Sequence, residues 1–495
     1  MNQLDEHQTK HESDLDDGPV PVPRVPVVAP SISDDIIRPS SEIAGGPLGK
    51  HAYSSWRFWS PLPVLVLFTV SGFILGMIQK LPCTTNGWAS PDNFTHLCYS
   101  DIPPLYTARG FADHIFPYLQ APLPGQEMLE YPVGTGLFAQ LANWLSPQPD
   151  AVSFYYTNVL LLFVCLLGAV IATALTVRRR PWDAAMVALA PGTILCATIN
   201  WDLLSVALTS ISMLLWARKY PAWAGVFLGL AAASKFYPIL LLGPVFLLCL
   251  RAGRMQAFVR YLAGGIIAWA ALNLPFMFAN FDGWVHFYVF SSQRGEDFGS
   301  IWMLLTNAGF GVPAASLNII ALVILAVLCL GIAVMTMTVK RRPRIAQLAF
   351  LVMAAFLLTN KVYSPQYVLW LIPLAALARP NWRDFLIWQV GEAIYFVGIW
   401  WYIVSIVGDH DKSLPVGWYC FIIVIHLAAT LYFAIMIIRD ICWPEYDPIR
   451  TDQWEEDRDD PGGGVLDGAE DRFVIGKRRS ADETAVEEQP GPIAQ

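Results

Sequence analysis

Asp101 stands in Cys-Tyr-Ser-Asp-Ile-Pro-Pro-Leu-Tyr, Cys98 to Tyr106, and is followed by Arg109 and by Glu130-Tyr131-Pro132. Later come Asn200-Trp201-Asp202, Ser234-Lys235-Phe236-Tyr237-Pro238, Arg294 in a second polar stretch, and Asn-Lys-Val-Tyr-Ser-Pro-Gln-Tyr from Asn360 to Tyr367. An aspartate held beside a cavity can accept a proton from a hydroxyl. Lysine and arginine can meet a phosphate whose charge grows as it departs. The acid and the cations lie in separate segments, so this chemistry depends on a fold that gathers them. Lys235 and Lys361 interrupt apolar segments, where an ionisable side chain is a functional candidate by default.

The elements that must position these residues are membrane helices. The chain has 495 residues, 55% hydrophobic and 15% charged, with 19 Trp. Repeated apolar runs with this composition indicate an all-α polytopic membrane protein. Residues 1–55 are polar, Pro-rich and too long for the n-region of a signal peptide, so they read as a disordered tail before a retained first span at Pro61 to Ile78. Lys50 and Arg57 place that tail inside and the loop at 80–153 outside. Within that loop Tyr131 to Leu145 reaches about 22 Å as a helix, short of the ~30 Å hydrocarbon core, and reads as interfacial.

Positive charge orients the remaining runs. Phe154 to Val177 ends at Arg178-Arg179-Arg180, Ala184 to Ile199 leads out to Asn200-Trp201-Asp202, and Leu203 to Ala217 returns to Arg218-Lys219. Ala222 to Leu250 has inside-type charge on both flanks, so it must cross an even number of times, as two broken helices meeting at Lys235. Such a break survives only where it is buried in protein or lines a cavity. Phe258 to Phe278, Ala314 to Val339, Ile345 to Thr359, Val368 to Ala378, Phe385 to Ser405 and Trp418 to Ile438 complete about 12 spans. Residues 441–495, acidic and rich in Gly and Pro, read as a second disordered inside tail. On this topology Asp101, Glu130, Asp202, Lys235, Arg294, Lys361 and Gln366 share the outer side. Cys83 and Cys98 share it too, and a disulfide there would close about 15 residues, worth about 3 kcal/mol. Glu392, inside an apolar run, reads equally as a functional acid and as a packing partner.

The acidic residue after the first span, the Glu-Tyr-Pro segment, the Lys-Phe-Tyr-Pro break and the Asn-Lys-Val-Tyr-Ser-Pro-Gln-Tyr segment together resemble the GT-C membrane glycosyltransferases. More narrowly they resemble the actinobacterial family-87 group, which includes polyprenyl-phosphate-mannose-dependent mannosyltransferases. The resemblance covers about residues 60–440 and implies a GT-C catalytic domain at 56–440, with interfacial helices in the first periplasmic loop. It implies an inverting transfer of one sugar, mannose first, from a polyprenyl-phosphate donor to a lipid or glycan acceptor hydroxyl on the periplasmic face of the plasma membrane, with both termini cytoplasmic. Asp101 matches the general base. Glu130 and Tyr131 match the interfacial motif, Lys235 and Tyr237 the donor-phosphate position, and Lys361, Tyr363 and Gln366 a late phosphate and acceptor motif. Arg109, Asp202 and Arg294 join these as candidate substrate-binding residues. Asp101 lacks the adjacent second carboxylate found in metal-dependent relatives, and no His/Cys cluster has metal-ligand spacing. The expectation is therefore an enzyme without a metal or other cofactor, and without a nucleic-acid partner. The alternatives are a polyprenyl-phosphate-arabinofuranose donor on the same scaffold and, from another class, a lipid or sugar transporter, for which inverted repeats would be the signature.

Overall fold

A computed structural model describes residues 34–37, 39, 60–408, 411–451 and 459–475. The expected tail at 1–55 lies almost wholly outside the described residues. Among the described residues the chain is helical, with no strand. Six helices among the described residues are long and apolar enough to cross a membrane: α1 (Pro61–Asn86), α4 (Ala151–Thr176), α8 (Met255–Ala279), α10 (Ala314–Thr338), α13 (Trp382–Val407) and α14 (Val416–Cys442). The protein is an integral membrane protein on that basis.

Five shorter apolar helical stretches pack among the long ones. Among them are α5 (Asp202–Ala217), α6 (Pro221–Ser234), α7 (Leu242–Arg251), α11 (Ile345–Thr359) and α12 (Val368–Ala378). The count of about 12 spans does not follow from these lengths. Ala184 to Ile199, expected as one crossing, is instead split into short pieces at Ala185–Leu189 and Pro191–Cys196. Pro191 disfavours helical geometry in the residue before it, and Ala190 has φ -56° and ψ 131°. Further helices between the spans include α2 (Ile102–Ala108), α3 (Val133–Leu145) and α9 (Phe281–Gln293). α3 buries Val133, Ala139 and Ala142 and exposes Trp144 and Leu145, the two-sided pattern of a helix at an interface.

The two ends of the bundle differ in charge. At one end the arginines that follow the apolar runs converge and are buried. Arg344 pairs with Asp447 at 2.8 Å, Arg251 and Arg342 each pair with Asp471 at 2.7 Å, and Arg379 pairs with Asp384 at 2.7 Å and also with Asp440. Asp447, Asp459, Asp460 and Asp471 come from the stretch expected to be a disordered acidic tail. Residues 443–451 and 459–475 are folded against this end: Trp216 Nε1 donates to the Gly463 carbonyl at 2.8 Å, and the Ile345 amide donates to Asp460 at 2.8 Å. Composition treats such acids as solvated, but here they are the counter-charges of arginines that would otherwise be buried alone, at a cost of several kcal/mol each.

The opposite end carries the loop between α1 and α4. Cys83 near the end of α1 and Cys98 are joined in a disulfide across 15 residues, which ties the segment preceding Asp101 to the first helix. Lys80, buried in α1, donates to the Tyr99 carbonyl at 2.7 Å and fixes the same segment.

Candidate active site

A cavity of about 870 Å³ opens at this end. Asp101, Glu130, Tyr131, Asn200, Lys235, Tyr237, Arg294, Lys361 and Gln366 all line it, together with aromatic side chains that include Phe287, Tyr288 and Trp400. One polar wall with apolar surroundings is the usual build of a small-molecule or lipid site.

Asp101 sits at the N-terminus of α2, with its backbone amide donating to the Ile199 carbonyl at 2.8 Å. That bond docks the first loop onto the Asn200-Trp201-Asp202 turn. The carboxylate takes two further bonds, from the Tyr99 hydroxyl at 2.7 Å and from Asn200 Nδ2 at 2.8 Å. Asn200 Nδ2 also donates to the Tyr131 hydroxyl at 2.6 Å, and its carbonyl oxygen accepts from the Trp201 amide at 2.6 Å. Every hydrogen-bonding group of the Asn200 side chain is therefore engaged. Burial pushes the Asp101 carboxyl above the ordinary aspartate range, with Asp202 adding to it; Tyr99, Asn200 and Lys235 pull in the other direction without cancelling the shift. The result is a stronger base than a free aspartate. Burial, with Asp101 and Glu130 nearby, holds the Tyr131 phenol well above its ordinary value, so it keeps its proton.

Lys235 occupies the break between α6 and α7. It is extended, φ -151° and ψ 137°, and the chain resumes as a single turn at Tyr237–Leu241. Two carbonyls at the break take side-chain donors: Ser205 Oγ donates to Ala231 at 3.1 Å and Thr135 Oγ1 to Ser234 at 2.5 Å. The second bond packs α3 against the break, and Gly134 allows the approach: a Cβ there would lie 2.5 Å from Ser234 Oγ. Glu130 and Tyr131, just before α3, are thereby set beside Lys235. Lys235 Nζ lies 3.3 Å from Asp202 and 5.0 Å from the centre of the Tyr131 ring. Asp202 itself is fully buried behind Lys235 and accepts from Trp370 Nε1 at 2.7 Å, so it anchors the lysine and does not line the cavity. Trp370 is stacked between Tyr237, at 4.2 Å, and Tyr367, at 4.0 Å.

A second cationic wall faces the cavity from Arg294 and Lys361. Arg294 pairs with Asp297, and Lys361 Nζ donates to Asn318 Oδ1 at 2.7 Å. Burial and the nearby Arg294 lower the Lys361 pKa. Arg109 is not on the cavity. Its guanidinium clamps Glu130 from behind, at 2.6 and 3.1 Å, and pairs with Glu127 at 3.1 Å. Tyr363 is likewise off the cavity, buried beneath it. Sequence reasoning passed over Tyr99, Asn200 and Trp370, although Asn200 stands beside Asp202 in a short turn already placed on the outer side.

Residues 129–359 match glycosyltransferase family 87. The matched stretch is a glycosyltransferase family 87 region. It makes up a little under half of the chain and contains Glu130, Asn200, Asp202, Lys235 and Arg294; Asp101, Lys361 and Gln366 lie outside it. The chain is also similar to solved structures of an oligosaccharyltransferase from Archaeoglobus fulgidus. The apo form is 13% identical with a TM-score of 0.37, over 78% of this chain and 56% of that one. The same organism's oligosaccharyltransferase AglB in complex with an inhibitory peptide and a dolichol-phosphate is 14% identical with a TM-score of 0.35, also over 78% and 56%. The chain thus spans little more than half the length of these structures. No curated protein matches it.

Proposed function

We propose that this chain is a glycosyltransferase that moves one sugar from a polyprenyl-phosphate donor to a hydroxyl of a lipid or glycan acceptor, inverting the anomeric centre. The observation that carries the reading is the single cavity in which Asp101 faces the same space as Lys235, Arg294 and Lys361. Asp101 takes the proton of the attacking hydroxyl, and Tyr99 and Asn200 hold the carboxylate in place. The cationic walls hold the departing lipid phosphate, whose charge rises in the transition state. Tyr131, which keeps its proton, is a donor toward the sugar or the phosphate. Positive charge in this scheme comes from Lys and Arg, and no step requires a metal or other cofactor. Mannose is the sugar that the family resemblance favours, with arabinofuranose next.

Placement of the cavity on the periplasmic side, with cytoplasmic termini, is supported by the disulfide at the cavity end and by the arginine-rich opposite end. The test is transfer by purified protein from polyprenyl-phosphate-mannose and, separately, from its arabinofuranose counterpart to membrane lipid acceptors. The reading requires product from one of them with inverted configuration; product from neither, with folded protein, sinks it.

A further inference from the structure

Behind the cavity wall lies a buried acid and histidine that the transfer scheme does not use. Glu392 on α13 and His426 on α14 are both buried, and neither lines the cavity. Glu392 Oε1 accepts from Thr430 at 2.9 Å, from Trp388 Nε1 at 3.1 Å and from the Tyr363 hydroxyl at 3.4 Å. Its Oε2 faces His426 Nδ1 at 3.6 Å, and among the described residues neither atom has a hydrogen-bond partner. His426 Nε2 lies 3.0 Å from the Gly299 carbonyl, so that nitrogen carries a hydrogen.

What this pair touches is the backbone that carries the second cationic wall. The segment at 297–300 and the segment at 360–364 are joined by two backbone bonds, Asp297 amide to Lys361 carbonyl at 2.8 Å and Tyr363 amide to Phe298 carbonyl at 3.2 Å. Lys361 stands on the second segment, and Arg294 lies just before the first and pairs with its Asp297. Gly299 lies at the junction with φ +76°, and a Cβ there would clash with the Tyr363 carbonyl. Its amide donates to the Tyr419 hydroxyl at 3.0 Å, and the Tyr395 hydroxyl donates to the Tyr363 carbonyl at 2.8 Å. The His426 ring stacks on Tyr395 at 4.1 Å and meets the edge of Tyr363 at 4.6 Å. Glu392 therefore grips one segment through Tyr363, and His426 grips the other through Gly299.

The geometry points to Glu392 and His426 as positioning residues that set the placement of Arg294 and Lys361 for the lipid phosphate. This rests on the proposed reading of the cavity, and its expected signature is weaker donor binding with little change in the chemical step. Glu392→Gln supplies an amide donor toward His426 Nδ1 and keeps a carbonyl acceptor for Thr430, Trp388 and Tyr363, so it retains the grip. Glu392→Leu and His426→Phe do not.

The full chain in lipid nanodiscs is compared by amide hydrogen exchange and by steady-state transfer. In Glu392→Leu and His426→Phe the amides of Asp297, Gly299 and Tyr363 exchange at least about tenfold faster, while the Ile345 amide at the far end does not change. In the same two variants the donor KM rises about tenfold with kcat within about twofold, and Glu392→Gln matches wild type in every readout. Unchanged exchange at those three amides overturns the inference, as does faster exchange with an unchanged donor KM, or a Glu392→Gln variant that behaves like Glu392→Leu. If one variant loses protection throughout, the other decides. A wild type that transfers no sugar sinks the reading of the cavity, and the exchange result alone then decides whether the pair holds these segments.

Discussion

Replacing Asp101 by asparagine removes the base while leaving nearly the same shape in place. The native carboxylate accepts from Tyr99 and from Asn200 Nδ2, at 2.7 and 2.8 Å. An asparagine side chain at this position can keep both contacts, because its oxygen still accepts from Asn200 while its amide donates to a Tyr99 hydroxyl turned to accept. The structural cost is about one neutral hydrogen bond, ~1 kcal/mol. Loss of general-base catalysis costs about 100- to 10,000-fold in rate, equivalent to roughly 3–5 kcal/mol on the barrier. The assay is single-sugar transfer from the lipid-phosphate donor, with thermal unfolding and donor binding measured in parallel. Asp101→Asn should bind donor and unfold within a few degrees of wild type, yet transfer at no more than about 1% of its rate. A variant that keeps full activity removes Asp101 from the base role, and one that loses donor binding in proportion makes Asp101 a binding residue instead.

Tyr99→Phe deletes a bond that favours the charged form of Asp101, whose carboxyl burial has already raised. Because the base must be unprotonated, kcat/KM falls as pH drops through that pKa, and the acidic limb should move to higher pH in Tyr99→Phe; an unmoved limb assigns it to another group. Lys361→Ala should raise the donor KM more than it lowers kcat, and a chelator should leave transfer unchanged; activity lost to the chelator and restored by a divalent ion would overturn the metal-independent scheme. Arg344→Ala leaves the fully buried Asp447 without its main partner and should cost about 3–5 kcal/mol in thermal or denaturant unfolding, whereas Arg383→Ala, at a half-exposed position, should cost under about 1 kcal/mol.

Some of this was legible in the chain alone because the physics that sets it is local. Long apolar runs bounded by arginine gave α4, α10 and α11 within a few residues, and equal charge on both flanks of Ala222 to Leu250 gave the break at Lys235. The Ala184 to Ile199 run was read as unbroken because apolar content was weighed without Pro191, where the structure splits it. The stretches at 443–451 and 459–475 were misread because their acids were assigned to solvent, and their partners Arg251, Arg342 and Arg344 lie more than a hundred residues away. In the site, Asp101 and Lys235 stood out as ionisable groups at unusual positions, but Asn200 carries no charge, and its role exists only once the Ile199 carbonyl meets the Asp101 amide. Arg109 and Tyr363 have the right chemistry in the right segments, yet they face away from the cavity, a matter of side-chain direction that spacing does not encode. Glu392 and His426 sit on different helices, and only their packing shows what they hold.

The most direct measurement of the central claim is an experimental structure of the protein with a polyprenyl phosphate bound. The account predicts the phosphate within salt-bridge reach of Lys361 or Arg294 and of Lys235, about 4 Å or less, with the Asp101 carboxylate open to the space where an acceptor hydroxyl would stand. A phosphate seated elsewhere, with Asp101 and Lys235 facing an empty cavity, would contradict it.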